Sequence, residues 1–182
     1  TTHYFGTDKL GRDIYSRIIV GIRYTMVVSS TAVLFSLFLG ITIGAMAGYY
    51  GRKTDRFLSM LIGLFWSLPS ILLAFAISFA FGRTLPALFI AIGLTMWGDV
   101  ARVVRGQVKY YKEMYFVQAG ISMGFSDSRI LFRHILPNIM GPIYVLAASN
   151  FALAVLLESG LSFIGLGLQP PIPTLGNILQ EH

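Results

Sequence analysis

Long stretches with few or no charges recur along the chain. Four of them, 24–51, 57–82, 84–104 and 138–158, are long enough to cross a bilayer as helices, since about 20 helical residues span the hydrocarbon layer. Arg23, Arg52, Arg56, Arg83 and Glu158 punctuate them; Asp99 is the one acid inside the third and alone interrupts it as far as Ala101, before Arg102. Pro69 falls inside the second stretch and predicts a kink there, which a membrane helix tolerates when neighbours satisfy the freed carbonyl. Pro86 falls in the first turn of the third, where no amide hydrogen is needed.

Two flanking regions read differently. In 7–22, Leu10, Ile14, Ile18 and Ile22 recur every four residues, with Arg12, Asp13, Ser16 and Arg17 between them. That spacing predicts an amphipathic helix, with Thr7 or Asp8 capping its start. It can lie along the membrane surface before the first span or pack on protein. The region 159–182 is uncharged up to Gln180 but holds Gly160, Gly165, Gly167, Pro170, Pro171, Pro173 and Gly176. So many breakers would leave backbone groups unpaired in lipid. A re-entrant or surface segment packed on the other helices is expected.

Composition supports a membrane protein. Of 182 residues, 55% are hydrophobic and 12% charged, against about 25% charged in ordinary soluble domains. The same numbers exclude disorder. The absence of cysteine removes disulfides, thiolate metal sites and cysteine nucleophiles. With four spans, one side of the membrane receives the N-terminal segment, the loop near 82–85 and the tail, with five Lys or Arg; the other receives 52–56 and 102–133, with nine. The positive-inside rule makes the second side cytoplasmic. Topology and anionic lipid headgroups account for the net charge of +6, and no nucleic-acid partner is expected.

Several local features carry a mechanism. Gly40, Gly44 and Gly48 form a small-residue stripe on the first span, which lets another helix approach closely, within the subunit or across a subunit interface. Asp99 is an intramembrane acid, with Arg102 three residues on and within pairing distance; the two readings are a structural ion pair and a functional acid. Glu158, at the far end of the fourth span, is expected to be reached by water. The connection 107–137 is long for a loop between membrane helices and reads as helix–turn–helix. Residues 109–123 suit a helix that Gly124 ends in the left-handed conformation. Ser126 caps the next helix, Asp127 sits at its positive end, and Pro137 breaks it before the fourth span. Such a knob needs a partner or a membrane surface.

Catalytic constellations are missing. No lysine follows a glycine, so the phosphate-binding G-x-x-x-x-G-K-[ST] loop is absent. His3, His134 and His182 lack metal-ligand spacing. Gly160–Leu161–Ser162–Phe163–Ile164 lacks the second glycine of a nucleophile elbow. The expectation is a protein that is not itself an enzyme and has no cofactor or metal.

Gln118–Ala119–Gly120, Gly124, Leu136 and Pro137 resemble the EAA loop of bacterial ABC importer permeases. That pattern is E-A-A, three residues, G, nine residues, then I-x-L-P. Ala119, Gly124, Leu136 and Pro137 match it, whereas Gln118, Gly120 and His134 depart from it. The segment from His3 to Arg23, with Gly6, Asp8, Gly11 and Asp13, is similar to the segment after the first membrane helix of dipeptide/oligopeptide/nickel-type permeases. The tail Leu161–Ser162–Phe163–Ile164–Gly165–Leu166–Gly167, then Gln169, Pro170, Pro171, Gly176 and Asn177, is similar to their signature before the last helix.

The resemblance implies an all-α integral membrane fold, a type I ABC importer permease-like bundle with a cytoplasmic helix–turn–helix coupling loop. Full-length members carry one more membrane helix at each end, and the chain starts at Thr1 rather than Met; a fragment of a longer protein is expected. The implied function is a multi-pass permease subunit of the bacterial inner membrane, passing peptides or, alternatively, nickel or another small solute. Its partners would be cytoplasmic ABC ATPases, a second permease, identical or related, and an extracytoplasmic substrate-binding protein. Gln118, Ala119, Gly120, Gly124, Ser126, Asp127, Leu136 and Pro137 would form the ATPase-docking element. A gradient-driven transporter and a non-transporting membrane scaffold are the competing classes.

Overall fold

The computed structural model describes residues 3–9, 11–82, 84–168 and 172–181. Leu10, Arg83, Gln169, Pro170, Pro171 and His182, on which parts of the sequence reading rest, lie outside the described residues. Among the described residues, regular structure is helical apart from one isolated bridge between Thr7 and Asp13. The helices are α1 (Ile14–Tyr50), α2 (Arg52–Ser67), α3 (Ser70–Phe81), α4 (Leu85–Lys112), α5 (Tyr115–Ser122), α6 (Asp127–Arg129), α7 (Met140–Phe163) and α8 (Leu175–Glu181). Among the described residues, three stretches are long and apolar enough to cross a membrane: Ile14–Tyr50, Leu85–Lys112 and Asp127–Phe163; α2 with α3 qualifies as a fourth, broken one.

Four sequence expectations need correction. The amphipathic segment is not a separate helix starting at Thr7, because α1 begins at Ile14 and runs unbroken to Tyr50. Asp13 caps it, accepting from the Ser16 amide at 2.9 Å and the Ser16 hydroxyl at 2.6 Å. Asp8 is instead buried in the preceding turn, held by Arg12 Nε and Arg17 Nη1. The second span is broken rather than kinked: α2 stops at Ser67, Leu68 is extended and α3 begins at Ser70, as expected before a proline that disfavours helical geometry in its predecessor. Residues 109–123 are not one helix, because α4 continues to Lys112 and a turn at Glu113–Met114 separates α5.

Pro137, lastly, does not end the helix that precedes the fourth span. A π-helical turn (Ile130–Ile135) and a 3-10 turn (Leu136–Ile139) carry the chain from α6 into α7. Proline cannot donate to the carbonyl four residues back, and the wider turn accommodates that loss. The Asn138 side chain donates to the His134 carbonyl at 2.6 Å. At its other end α7 reaches Phe163, beyond the expected limit at 158.

The chain forms two compact units. The first comprises residues 1–34, 71–94 and 151–182, the second 35–70 and 95–150. Each has its own interior. The first buries Val28, Leu88, Ile92 and Leu161. The second buries a cluster including Tyr49, Val104, Val108, Val117, Ile130 and Ile139.

Within the second unit, Gly40, Gly44 and Gly48 lie against α4. A methyl group added at Gly40 would stand 2.5 Å from the Val100 Cβ, one at Gly44 2.5 Å from the Ala101 carbonyl oxygen, and one at Gly48 2.8 Å from the Arg105 carbonyl oxygen. The stripe thus packs helices of the same chain, with backbone meeting backbone. Within the first unit the tail folds back on α7 and α1. A Cβ at Gly176 would stand 2.2 Å from the Ser159 carbonyl oxygen, and one at Gly21 would meet Thr174 and Ile178.

Candidate functional site

The element at 115–139 turns at Gly124, between α5 and α6. Gly124 has φ +78°. Its amide donates to the Ile121 carbonyl at 2.9 Å, and the Phe125 amide donates to the Gly120 carbonyl at 3.1 Å. This pair of bonds is the Schellman closure of a helix, which needs the left-handed backbone that glycine adopts freely. Gly120 is buried with the Phe125 ring beside it, and an added Cβ there would stand 3.2 Å from that ring. Ser126 Oγ then accepts from the Arg129 amide at 3.4 Å. Gln118 turns back to donate to the Lys112 carbonyl at 2.7 Å, bridging the turn between α4 and α5.

Asp127 has a role the sequence did not suggest. Its carboxylate accepts from the Tyr49 hydroxyl at 2.7 Å. Lys112 lies over the Tyr49 ring at 4.8 Å and donates to the Tyr49 carbonyl. Tyr49, Tyr50, Lys112, Ile121, Phe125, Asp127 and Ile130 line an open cavity of about 320 Å³. The outer surface of the element is apolar: Tyr115, Phe116, Met123 and Phe132 are exposed, Tyr115 by 94%. Ala119 and Pro137 are exposed as well, Leu136 is half-buried, and Ile135 and Ile139 on either side are fully buried.

A second polar cluster centres on Asp55, which the sequence reading passed over. Its carboxylate accepts from Arg105 Nε and Nη2 (2.5 and 3.0 Å), Lys109 Nζ (2.6 Å) and Ser59 Oγ (3.1 Å). The Arg105 guanidinium holds the Asp55 carboxyl well below the usual carboxylate range, against the opposing effect of burial. The available signal was the one acid in a basic connection and the i, i+4 spacing of Arg105 and Lys109.

Asp99 and Arg102 do not form the expected ion pair. Asp99 Oδ1 accepts from the Trp66 indole N–H at 2.6 Å, and the Arg102 guanidinium lies 3.8 Å over the Trp66 ring. Trp66 competes for both groups, since it offers a donor at its edge and an electron-rich face.

Glu158 is likewise corrected: it is fully buried. The Thr25 hydroxyl donates to one carboxyl oxygen at 2.8 Å and the Ser162 hydroxyl to the other at 2.7 Å. Beyond it, Gly165 at φ +83° closes α7 with the same pair of bonds as Gly124, from the Gly165 amide to the Ser162 carbonyl and from the Leu166 amide to the Leu161 carbonyl.

Three relatives place this arrangement among known proteins. A dipeptide transport system permease protein, DppC, of Alkalihalophilus pseudofirmus is 41% identical over 179 residues, 98% of this chain and 59% of the relative. A glutathione transport system permease protein, GsiD, of Pectobacterium atrosepticum is 36% identical, covering 100% of this chain and 60% of the relative. An oligopeptide transport system permease protein, OppC, of Bacillus subtilis is 35% identical, covering 98% and 59%. The chain thus spans about three fifths of the length of these relatives. The family described as binding-protein-dependent transport system inner membrane component matches residues 40–182. With that match over most of its length and with its long apolar helices, the chain belongs to this family of multi-pass inner-membrane components.

Proposed function

We propose that the chain is the permease part of an ATP-driven importer, forms part of the pathway for peptides, and receives its driving force through residues 115–137. The observation that carries this reading is the Gly124 turn. Glycine in a left-handed conformation closes α5 at the family's glycine position, with Ala119, Leu136 and Pro137 at the other matching positions. The surrounding apolar side chains, Tyr115, Phe116, Met123 and Phe132, are exposed and call for a protein partner. Cytoplasmic ATPases are that partner, and ATP is hydrolysed on them rather than on this chain. The names of the relatives, dipeptide, oligopeptide and glutathione systems, favour peptides over nickel or another small solute.

In this mechanism, ATP binding draws two ATPases together and displaces the docked element. Its tie to Tyr49 through Asp127 and its continuity with α7 through the π and 3-10 turns pass the displacement to the membrane helices. The result is a switch between two access states, biased by a ligand bound to another chain. A second permease, related or identical, completes the pathway, and a binding protein outside delivers the substrate.

The test is Gly124→Val in the full-length subunit, assembled with its partners in proteoliposomes. A left-handed residue with a side chain costs about 1–2 kcal/mol, and branching at Cβ adds to this. Membrane insertion is expected to persist, while uptake and ATP hydrolysis stimulated by the loaded binding protein are lost. Undiminished uptake and stimulation would refute the coupling role.

A further inference from the structure

Trp66, Asp99 and Arg102 stand together on an exposed part of the second unit. Asp99 follows Leu85, the first residue of α4, by fourteen positions, a rise of about 21 Å, which leaves it inside an apolar layer about 30 Å thick. An ionisable side chain at such depth faces the interior of a bundle or a water-filled cavity. The break between α2 and α3 adjoins Trp66, and Ser67, Leu68, Pro69 and Ser70 are all exposed there. Non-helical backbone at membrane depth is tolerated only against protein or water. Both features therefore exclude a lipid-facing surface.

The cluster is also only half satisfied. Asp99 Oδ1 is taken by the Trp66 indole N–H, and the Arg102 guanidinium is engaged only through its face on the Trp66 ring. Among the described residues, nothing donates to Asp99 Oδ2, and the N–H groups of Arg102 have no acceptor. One acceptor site and several donors are thus held on a common aromatic support. An edge-to-face pair, Phe65 with Trp97 at 5.1 Å, adjoins that support. A small cavity lined by Ser59, Ile62, Gly63, Arg102 and Arg105 opens beside it.

The geometry points to a ligand station: Asp99, Trp66 and Arg102 line the water-filled path and hold a zwitterionic peptide in transit, its ammonium at Asp99 Oδ2 and its carboxylate at the Arg102 guanidinium. Side chains three apart on a helix are separated by about 5–6 Å at Cβ, and an extended dipeptide reaches about 7 Å end to end. The station is neutral overall, so it matches a zwitterion without the deep trap a lone charge would create. Weak sites of this kind allow release as well as entry. The identity of the ligand rests on the peptide-permease reading above; the exposure of these side chains to the path does not.

The test uses single-cysteine variants Trp66→Cys, Asp99→Cys and Arg102→Cys, with Val145→Cys and Leu156→Cys as controls from exposed apolar positions of α7. None of these 182 residues is a cysteine, so each label is unambiguous within them. The full-length subunit is assembled with its partners, and co-purification of the ATPases checks that each variant is intact. A membrane-impermeant thiol reagent is expected to modify positions 66, 99 and 102 about tenfold faster than the controls, because only a thiol in contact with water ionises. Dialanine supplied with the binding protein should slow the reaction. Asp99→Asn, which keeps the acceptor for Trp66, should lower dialanine uptake about tenfold while stimulated ATP hydrolysis persists.

Modification at 99 and 102 no faster than at the controls would overturn the proposal and assign these side chains to contact with the second permease. Fast modification that dialanine does not slow, in an assembly that imports dialanine, would overturn the ligand station. Absence of dialanine import by the unmodified assembly would instead refute the peptide-permease reading, and the labelling rates would still decide whether the cluster lines the path.

Discussion

Asp55 and Glu158 are both acids withdrawn from water, and the chain settles them in opposite ways. Asp55, in the second unit, keeps 16% of its side chain exposed and gathers two cations, Arg105 and Lys109. Glu158, in the first unit, is fully buried and receives two hydroxyls, from Thr25 and Ser162. The first arrangement relies on opposite charge at a wet boundary, where desolvation is incomplete. The second relies on neutral donors in a dry site, where both carboxyl oxygens must be matched by geometry. One acid is stabilised by what surrounds it electrostatically, the other by how tightly its neighbours are placed.

The contrast is open to experiment, first by replacing Glu158. Glu158→Leu strands two buried hydroxyls, each costing about 1–3 kcal/mol. Thermal unfolding of the full-length subunit in detergent should show a loss of about 2–6 kcal/mol. Glu158→Gln keeps an acceptor and should recover most of that. Equal losses for the two variants would mean that shape rather than hydrogen bonding is what matters there.

The next test is acid. Arg105 depresses the Asp55 carboxyl in the folded chain, so the stabilisation it contributes is complete above the unfolded value of about 3.9. It is lost as the pH falls from there towards the depressed folded value. Wild type should therefore lose stability below about pH 4 more steeply than Asp55→Asn. Parallel pH profiles would remove Asp55 from the account.

Salt should have the smallest effect. Raising ionic strength to about 1 M shortens the screening length to about 3 Å. This should weaken the partly exposed Asp55 cluster by about 1 kcal/mol or less. The difference in stability between wild type and Glu158→Leu should not change with salt. If that difference did shrink, the Glu158 site would be wetter than its burial indicates.

The same contrast explains what could be read from the sequence. The spans were legible because their signal is composition over about 20 residues, and the Gly124 turn because glycine at a helix end has one dominant structural use. Glu158 was misread because its burial comes from residues remote in the chain: Thr25 lies 133 positions away, and the covering tail packs through Gly167 and Gly176. Asp99 was misassigned for a related reason. Arg102 is the obvious partner at helical spacing, but Trp66, 33 positions before Asp99, offers both groups a contact that no local pattern reveals. Pro137 misled in the other direction, since local rules end a helix there whereas the wider turn before it lets the chain continue.

The glycines at 40, 44 and 48 constrain how force can travel. With no room for even a methyl group between the two backbones, α1 cannot slip along α4 by a fraction of the four-residue repeat, about 6 Å, without driving carbonyls into side chains. The paired segments therefore behave as a keyed shaft: a push received at Lys112 or Tyr49 moves both together, and sliding is not among the motions available to them.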